Sequence, residues 1–314
     1  RHWTYTRVQT ADPPCGFFAL FHAIIFHQET SYCCPMIQPI TPEPIDYLLI
    51  GHVTADLQPD KSVSLGGTAS FSGLTAARLG HRVGLVTSCA EDLELAQLES
   101  IQTWVVPSEQ STMFRNEGLG NTRVQHLFSR ATRLTSGHVP PAWQGCRLVH
   151  LGPVAAEIDP DIAEIFPNAL LCLTPQGWYR QADAQNLVRH TDWAEELMLL
   201  PKAHAVVLSL EDLRGDEQKV QELAKVCSLL VVTENREGAR VFYGGEVRNF
   251  PAPIVEMVED TGAGDIFATC FFHRYYLTHD PWEAARFAVR LSACSVTRRH
   301  LASIPSEDEI EQAK

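Results

Sequence analysis

The sequence predicts an α/β fold: a mainly parallel central sheet with helices on both faces. Three observations lead there. Short apolar runs recur from Ile45 onward, and several are continuous rather than alternating, as in parallel strands buried on both faces. Helical patterns fall between these runs, which is the order of a sheet covered on both sides. The stretch after Gly264 is apolar almost all round (Ile266, Phe267, Ala268, Phe271, Phe272), which predicts a central, buried helix.

Strands are predicted at Tyr47–Ile50, Val83–Thr87, Leu148–Leu151, Leu170–Leu173, Ala205–Leu208 and Leu229–Thr233. Helices are predicted at Thr68–Leu79, Asp161–Phe166, Glu217–Val226, Gly262–Leu277 and Pro281–Arg298, with Pro281 suited to a first helical turn. Arg123–Phe128 reads as a strand with Arg123 and Gln125 on one face, either at a ligand site or as a solvent-facing edge. No internal repeat or low-complexity tract is present.

With 314 residues the chain can hold one large α/β domain or two smaller ones. Apolar residues at 45% and charged residues at 20% give an ordinary globular balance. A net charge of −13 argues against nucleic acid or an anionic membrane as partner. The 9 cysteines form no C-x-x-C pair, and Cys33-Cys34 is their one close pair, so they read as reduced thiols of a cytoplasmic protein.

Residues 1–44 differ from the rest and are expected to be a non-catalytic extension, with the catalytic domain at 45–314. The sequence starts at Arg1 rather than Met, and Phe17–Phe26 is an apolar run broken by His22. That run is shorter than the about 20 residues a bilayer span needs. Arg1 and Arg7 precede it as in a signal peptide, but no A-x-A cleavage pattern follows. The proline-rich stretch Pro35–Pro44 separates it from the first strand.

The richest segment for chemistry is Asp260-Thr261-Gly262-Ala263-Gly264-Asp265. A helix start offers unpaired N–H groups and a partial positive charge. Gly262, Ala263 and Gly264 let an anion approach those amides, and Asp265 would stand beside it to take a proton from an attacking hydroxyl. The same pattern also fits a glycine loop with acidic residues at a helix start.

This segment resembles the D-T-x-G-A-G-D type signature of the ribokinase-like (PfkB) carbohydrate kinases, with one residue fewer than some members show. A second stretch, Gly66-Gly67-Thr68-Ala69-Ser70-Phe71-Ser72-Gly73-Leu74-Thr75-Ala76-Ala77-Arg78-Leu79-Gly80, is similar to the family's G-G-x-x-x-N-x-A-x-x-x-A-x-L-G segment. The resemblance covers roughly residues 45–310. It implies the three-layer ribokinase-like fold with a small lid, ATP and Mg²⁺ as cofactors, and a monovalent cation as a further candidate. The nine residues Leu57–Leu65 between Asp56 and Gly66 imply that this lid is small, which weakens lid-mediated dimerisation; monomer and homodimer both stay open.

The resemblance carries several positions over. Asp56 matches the aspartate that binds sugar hydroxyls, where a carboxylate accepts two bonds at once, or it is a loop aspartate. Gly66 and Gly67 match the pair that lets substrate approach the backbone, or they form a simple turn. Ser209-Leu210-Glu211-Asp212 occupies the place of the N-x-x-E motif that organises Mg²⁺, giving Ser209 and Asp212 as metal-side candidates, or an exposed acidic turn. Thr174-Pro175-Gln176-Gly177-Trp178 follows a strand and looks like a segment of the inositol- or nucleoside-type relatives, so Gln176 joins Asp56, Gly66, Gly67 and Arg123 on the acceptor side.

On the nucleotide side, Thr233 and Gly238 match a T-x-G-x-x-G turn, with Asp260 and Thr261 beside it. Asn235 replaces the middle glycine, and Asn tolerates positive φ better than most residues. Val289 falls where many members have an asparagine near the adenine, and His300 where many have a glycine. Other chemistries lack their motifs: there is no phosphate loop of the G-x-x-x-x-G-K-[ST] type, no H-E-x-x-H and no G-x-S-x-G.

These features predict a kinase that phosphorylates a hydroxyl of a small sugar, polyol or nucleoside. Asp265 would be the base and the Gly262–Gly264 amides the anion cradle. A vitamin kinase of the same fold, and a catalytically weak sugar-binding or regulatory protein, are the alternatives.

Overall fold

The structure, a computed structural model, describes residues 42–117 and 124–314. The chain divides into two units, Arg1–Ile40 and Thr41–Lys314, and the second carries every element below. Its strands are β1 (Tyr47–Ile50), β2 (Thr54–Leu57), β3 (Val63–Gly66), β4 (Val83–Cys89), β5 (Gln102–Pro107), β6 (Thr112–Glu117), β7 (Val124–Ser129), β8 (Leu148–Leu151), β9 (Leu170–Leu173), β10 (Arg180–Ala182), β11 (Val188–His190), β12 (Ala205–Ser209), β13 (Leu229–Thr233), β14 (Ala239–Tyr243) and β15 (Glu246–Phe250). Its α-helices are α1 (Gly67–Arg78), α2 (Glu196–Leu199), α3 (Glu217–Val226), α4 (Ala263–Thr278), α5 (Pro281–Ser295) and α6 (Glu307–Ala313).

Nine strands form the central sheet in the order β15-β14-β13-β12-β9-β8-β1-β4-β5. From β13 to β5 the pairs are parallel, and β14 and β15 add an antiparallel edge. Successive residues of a strand point to opposite faces, and β1 shows this directly. Tyr47 and Leu49 pack with Phe71 of α1, Phe271 of α4 and Phe287 of α5, whereas Leu48 and Ile50 pack with Trp143, Ile162, Trp178 and Leu223. Two apolar cores on the two faces of one sheet make the three layers, and the α/β prediction holds.

The 161–166 segment departs from expectation, forming a 3₁₀ turn over Pro160–Ile165 rather than an α-helix. Pro160 opens it, and Pro167 biases Phe166 away from the helical region, so no room is left for a full α turn. The helix read as Gly262–Leu277 begins one residue later, with Gly262 as its N-cap at φ +81°. The β14–β15 hairpin turns through Gly244 and Gly245, both at positive φ, as a two-residue turn matched to strand twist requires.

A second sheet, in the order β3-β2-β6-β7, forms the lid. The short connector supplies only the β2–β3 hairpin. The other half comes from β6, parallel to β2, and β7, antiparallel to β6, so the lid is wider than the connector alone suggests.

Candidate active site

Side chains from four separate elements meet at the carboxyl ends of the central strands, where open α/β sheets place their ligands. The Thr68 hydroxyl, in the first turn of α1, donates to Asp265 Oδ1 at 2.7 Å. Gln176, in the turn after β9, donates through Nε2 to Thr68 Oγ1 at 3.2 Å. Thr68 is fully buried, and Gln176 is the half-buried member of an otherwise buried Thr174–Tyr179 run. Asp265 lies in the first turn of α4, and its carbonyl accepts from the Thr269 hydroxyl at 2.9 Å, so the residue is held at both ends.

At the start of α4 the Ala263 amide donates to the Asp260 carbonyl at 3.1 Å, a tight turn that precedes the helix. The Ala263 amide is thus engaged within the turn. Gly262 is required in this turn: a Cβ there would sit 2.3 Å from the Phe71 ring, on a backbone at φ +81°. A Cβ at Gly264 would meet nothing within 4 Å, so open space lies beside its backbone. Asp260 and Thr261 are half-buried in this turn.

Across from α4 the lid strand β2 carries Asp56, whose Oδ1 accepts from the Thr54 hydroxyl at 2.8 Å. Asp56 lies over the β3–α1 junction: a Cβ at Gly66 would come within 2.3 Å of Asp56 Oδ2. Gly67 follows at φ +78°. Asp56, Gly66, Gly67, Gln176 and Asp265 thus lie on neighbouring elements around α1. Arg123 lies outside the described residues. Gln125, on β7, bonds Asn116 at 3.0 Å.

The loops beneath the site are tied by groups the sequence reading missed. Glu157 is fully buried, and its carboxylate accepts the amides of His52 at 3.1 Å, Val154 at 3.0 Å and Ala155 at 2.7 Å, joining the loops after β1 and β8. His52 bonds Thr112 at 2.7 Å and the Thr132 carbonyl at 2.9 Å, and burial lowers its pKa. His150 links Tyr47 at 3.0 Å to Thr174 at 2.9 Å, and full burial pushes its pKa down to about 3, so it is neutral. A lone Glu or His inside a predicted strand or loop gives no signal of such ties; Thr68, directly after the glycine pair, had position as its one clue.

On the nucleotide side, Asn235 adopts the left-handed conformation at φ +49°, as its tolerance of positive φ suggested. Its side chain donates to Glu211 at 2.7 Å, joining the Thr233–Gly238 turn to the Ser209–Asp212 turn. Gly238 is packed so that a Cβ would lie 2.0 Å from the Phe250 carbonyl, which assigns it to the joint with β15. Thr233 ends β13. Ser209 and Asp212 form a capping box, and Asp212 also pairs with Arg180 at 3.3 Å. Among the described residues no group of three or more His, Cys, Asp or Glu could hold a metal ion. Ser209 and Asp212 offer oxygen donors, the ligand type that Mg²⁺ takes, usually alongside phosphates and water.

Val289 is buried in α5, and His300 holds the left-handed conformation at φ +47°, the geometry a glycine would take there most easily. Leading into the α4 turn, Ile254, Val255, Met257 and Val258 are exposed, an apolar strip that showed no periodicity in the sequence.

The family model described as pfkB family carbohydrate kinase matches residues 175–308, from the Gln176 turn through α4 and α5. This chain is similar to that family over somewhat less than half of its length. Among curated relatives, a fructokinase of Escherichia coli is 29% identical over 196 residues, 55% of this chain and 63% of that one. This chain thus spans 63% of the length of that relative. A cytidine kinase of Thermococcus kodakarensis is 24% identical over 255 residues, covering 74% of this chain and 88% of the relative. Among solved structures, a pyrophosphate-dependent kinase in the ribokinase family, complexed with a pyrophosphate analog and myo-inositol, superposes with a TM-score of 0.72 at 18% identity, covering 85% of this chain and 100% of that one. Ribokinase from Thermotoga maritima superposes with a TM-score of 0.66 at 18% identity, covering 86% and 99%. The fold of this chain is ribokinase-like.

Proposed function

We propose that the protein transfers the γ-phosphoryl group of ATP to a hydroxyl of a sugar or polyol. The observation that carries this reading is the position of Asp265: a carboxylate in the first turn of α4, close behind Gly262 and beside the open space at Gly264, and bonded to Thr68 of α1, whose start lies next to Asp56. Asp56, Gly67 and Gln176 hold the acceptor, with its hydroxyl against Asp265. As the acceptor oxygen bonds to phosphorus, its proton passes to Asp265 and the bond to the β-phosphate oxygen breaks, releasing ADP. The Gly262 and Gly264 amides and the helix dipole stabilise charge on the transferring group. Mg²⁺, when bound, supplies charge neutralisation across the phosphates. Positioning and electrostatics carry most of such a reaction, so these few groups suffice. The exposed Ile254–Val258 strip offers an apolar face for a nucleobase. Cys89, Cys146, Cys172, Cys227, Cys270 and Cys294 are free thiols, which supports a reducing cytoplasmic setting.

A second reading concerns the donor. Val289 is buried where many members have an asparagine near the adenine, and the superposable kinase with myo-inositol uses pyrophosphate. These support a nucleoside-free donor acting through the same cradle. The test is phosphate transfer by purified protein, with ATP or pyrophosphate, against fructose, ribose, myo-inositol and cytidine. Asp265→Asn should lower kcat by about 10²–10⁴ on the active pair while the fold persists. A variant retaining more than about a tenth of parental kcat would remove Asp265 from the role of base.

A further inference from the structure

We propose that Thr68 is a positioning residue that sets the orientation of the Asp265 carboxylate, and that Gln176 acts on the base through it; this rests on the kinase reading above. Thr68 has one hydroxyl proton to give. Gln176 donates into its oxygen at 3.2 Å, so the Thr68 proton is directed to Asp265 Oδ1 at 2.7 Å. The hydrogen bonds therefore run in one direction, from the turn after β9 through α1 to α4.

The threonine cannot easily turn away. Its methyl seats against Gly152, in the loop after β8, where a Cβ would lie 2.5 Å from Thr68 Cγ2. The same Cβ would lie 3.3 Å from Thr174 Oγ1, which His150 holds at 2.9 Å. Methyl and hydroxyl thus have separate seats, and one rotamer satisfies both. Thr68 is fully buried, so water does not compete for the hydroxyl. A base acts only from the correct angle, and small misplacements of a reacting group cost large factors in rate.

Gln176 belongs to the turn assigned to the acceptor, so a shift of its side chain on acceptor binding would reach Asp265 through one hydroxyl. The site thereby couples acceptor recognition to orientation of the base, without a contact between Gln176 and Asp265 themselves.

The experiment compares Thr68→Val, which keeps the branched shape and removes the hydroxyl, with Thr68→Ser, which keeps the hydroxyl. On the donor–acceptor pair that the parent enzyme uses, Thr68→Val should lower kcat by about 10–100-fold with both KM values within about threefold of the parent, because orientation of the base rather than binding is lost. Thr68→Ser should keep at least about a third of kcat, and in an Asp265→Asn background Thr68→Val should cost no more than about twofold, since the two act as a unit. Should Thr68→Val fail to fold, Thr68→Ala replaces it in both comparisons. The proposal is overturned if Thr68→Val keeps more than half of kcat, if Ser is as poor as Val, or if the loss persists unchanged beside Asp265→Asn. A parent protein with no transfer from ATP or pyrophosphate to any acceptor would overturn the kinase reading itself, whereas an active parent indifferent to Thr68→Val overturns only this assignment.

Discussion

A Cβ on Gly66 would lie 2.3 Å from the Asp56 carboxylate, so the turn into α1 and the lid strand bearing that carboxylate are fitted to each other. The glycine is needed here because a side chain stands where its own would go. The β2–β3 hairpin of the lid and the start of α1 therefore meet at the residue assigned to the acceptor.

Gly66→Ala is expected to displace Asp56 and raise the acceptor KM by about tenfold or more, with the donor KM unchanged. Steady-state kinetics on the active pair checks this. An unchanged acceptor KM would remove Asp56 from the acceptor site.

Gly262→Ala combines a left-handed backbone, φ +81°, with a methyl 2.3 Å from the Phe71 ring. The conformational cost for an L-residue is about 1–2 kcal/mol and overpacking adds about 1–3 kcal/mol, so a loss of about 2–5 kcal/mol is expected. Urea unfolding measures it. A loss under about 1 kcal/mol would show that the start of α4 adjusts freely.

Acid should destabilise the fold through buried histidines. Burial pushes His150 and His273 down to about 3, from an ordinary value of 6.5. Below pH 6.5 the unfolded imidazoles take up protons that the folded ones do not, so stability is full above that pH and falls as the pH drops toward 3. The slope is at most about 1.4 kcal/mol per pH unit for each group. His273→Gln removes one such group, and urea midpoints between pH 6.5 and 5 should then fall less steeply than in the parent. An identical slope would show that His273 accepts a proton in the folded state.

Removal of residues before Pro42 should leave a soluble protein with parental activity. Glu43 belongs with the catalytic body, because its carbonyl accepts from Trp143 Nε1 at 3.1 Å and its amide donates to Gln102 at 2.9 Å. The useful cut thus precedes Pro42 rather than Ile45. A fall in melting temperature of more than about 4 °C, roughly 1 kcal/mol or more, would show that the removed residues pack on the body.

Legibility followed burial. β1, β8, β9, β13 and α3 were readable to the residue, because a strand buried on both faces is a short, unbroken apolar word and α3 has a clear capping aspartate, Asp216. The lid strands were mostly missed. β6 reads Thr112-Met113-Phe114-Arg115-Asn116-Glu117 and is only partly buried, so its apolar residues are too few to declare it. The β14–β15 hairpin could have been found from Gly244-Gly245 between two alternating stretches.

What the sequence determined by itself is local: the alternation of strands and helices, the glycine pair before α1, and a small-residue turn placing Asp265 at the head of an apolar helix. These follow from patterns a few residues long, which dictate backbone conformation and burial wherever they occur. The tertiary structure alone decided that Thr68 meets Asp265 from 197 positions away and Gln176 from 108 positions away. It likewise directed Asp212 toward Arg180 and enclosed Glu157 among backbone amides. A hydrogen bond tolerates only a few tenths of an ångström, and that precision comes from how the two cores seat α1, α4 and the β9 turn on one sheet.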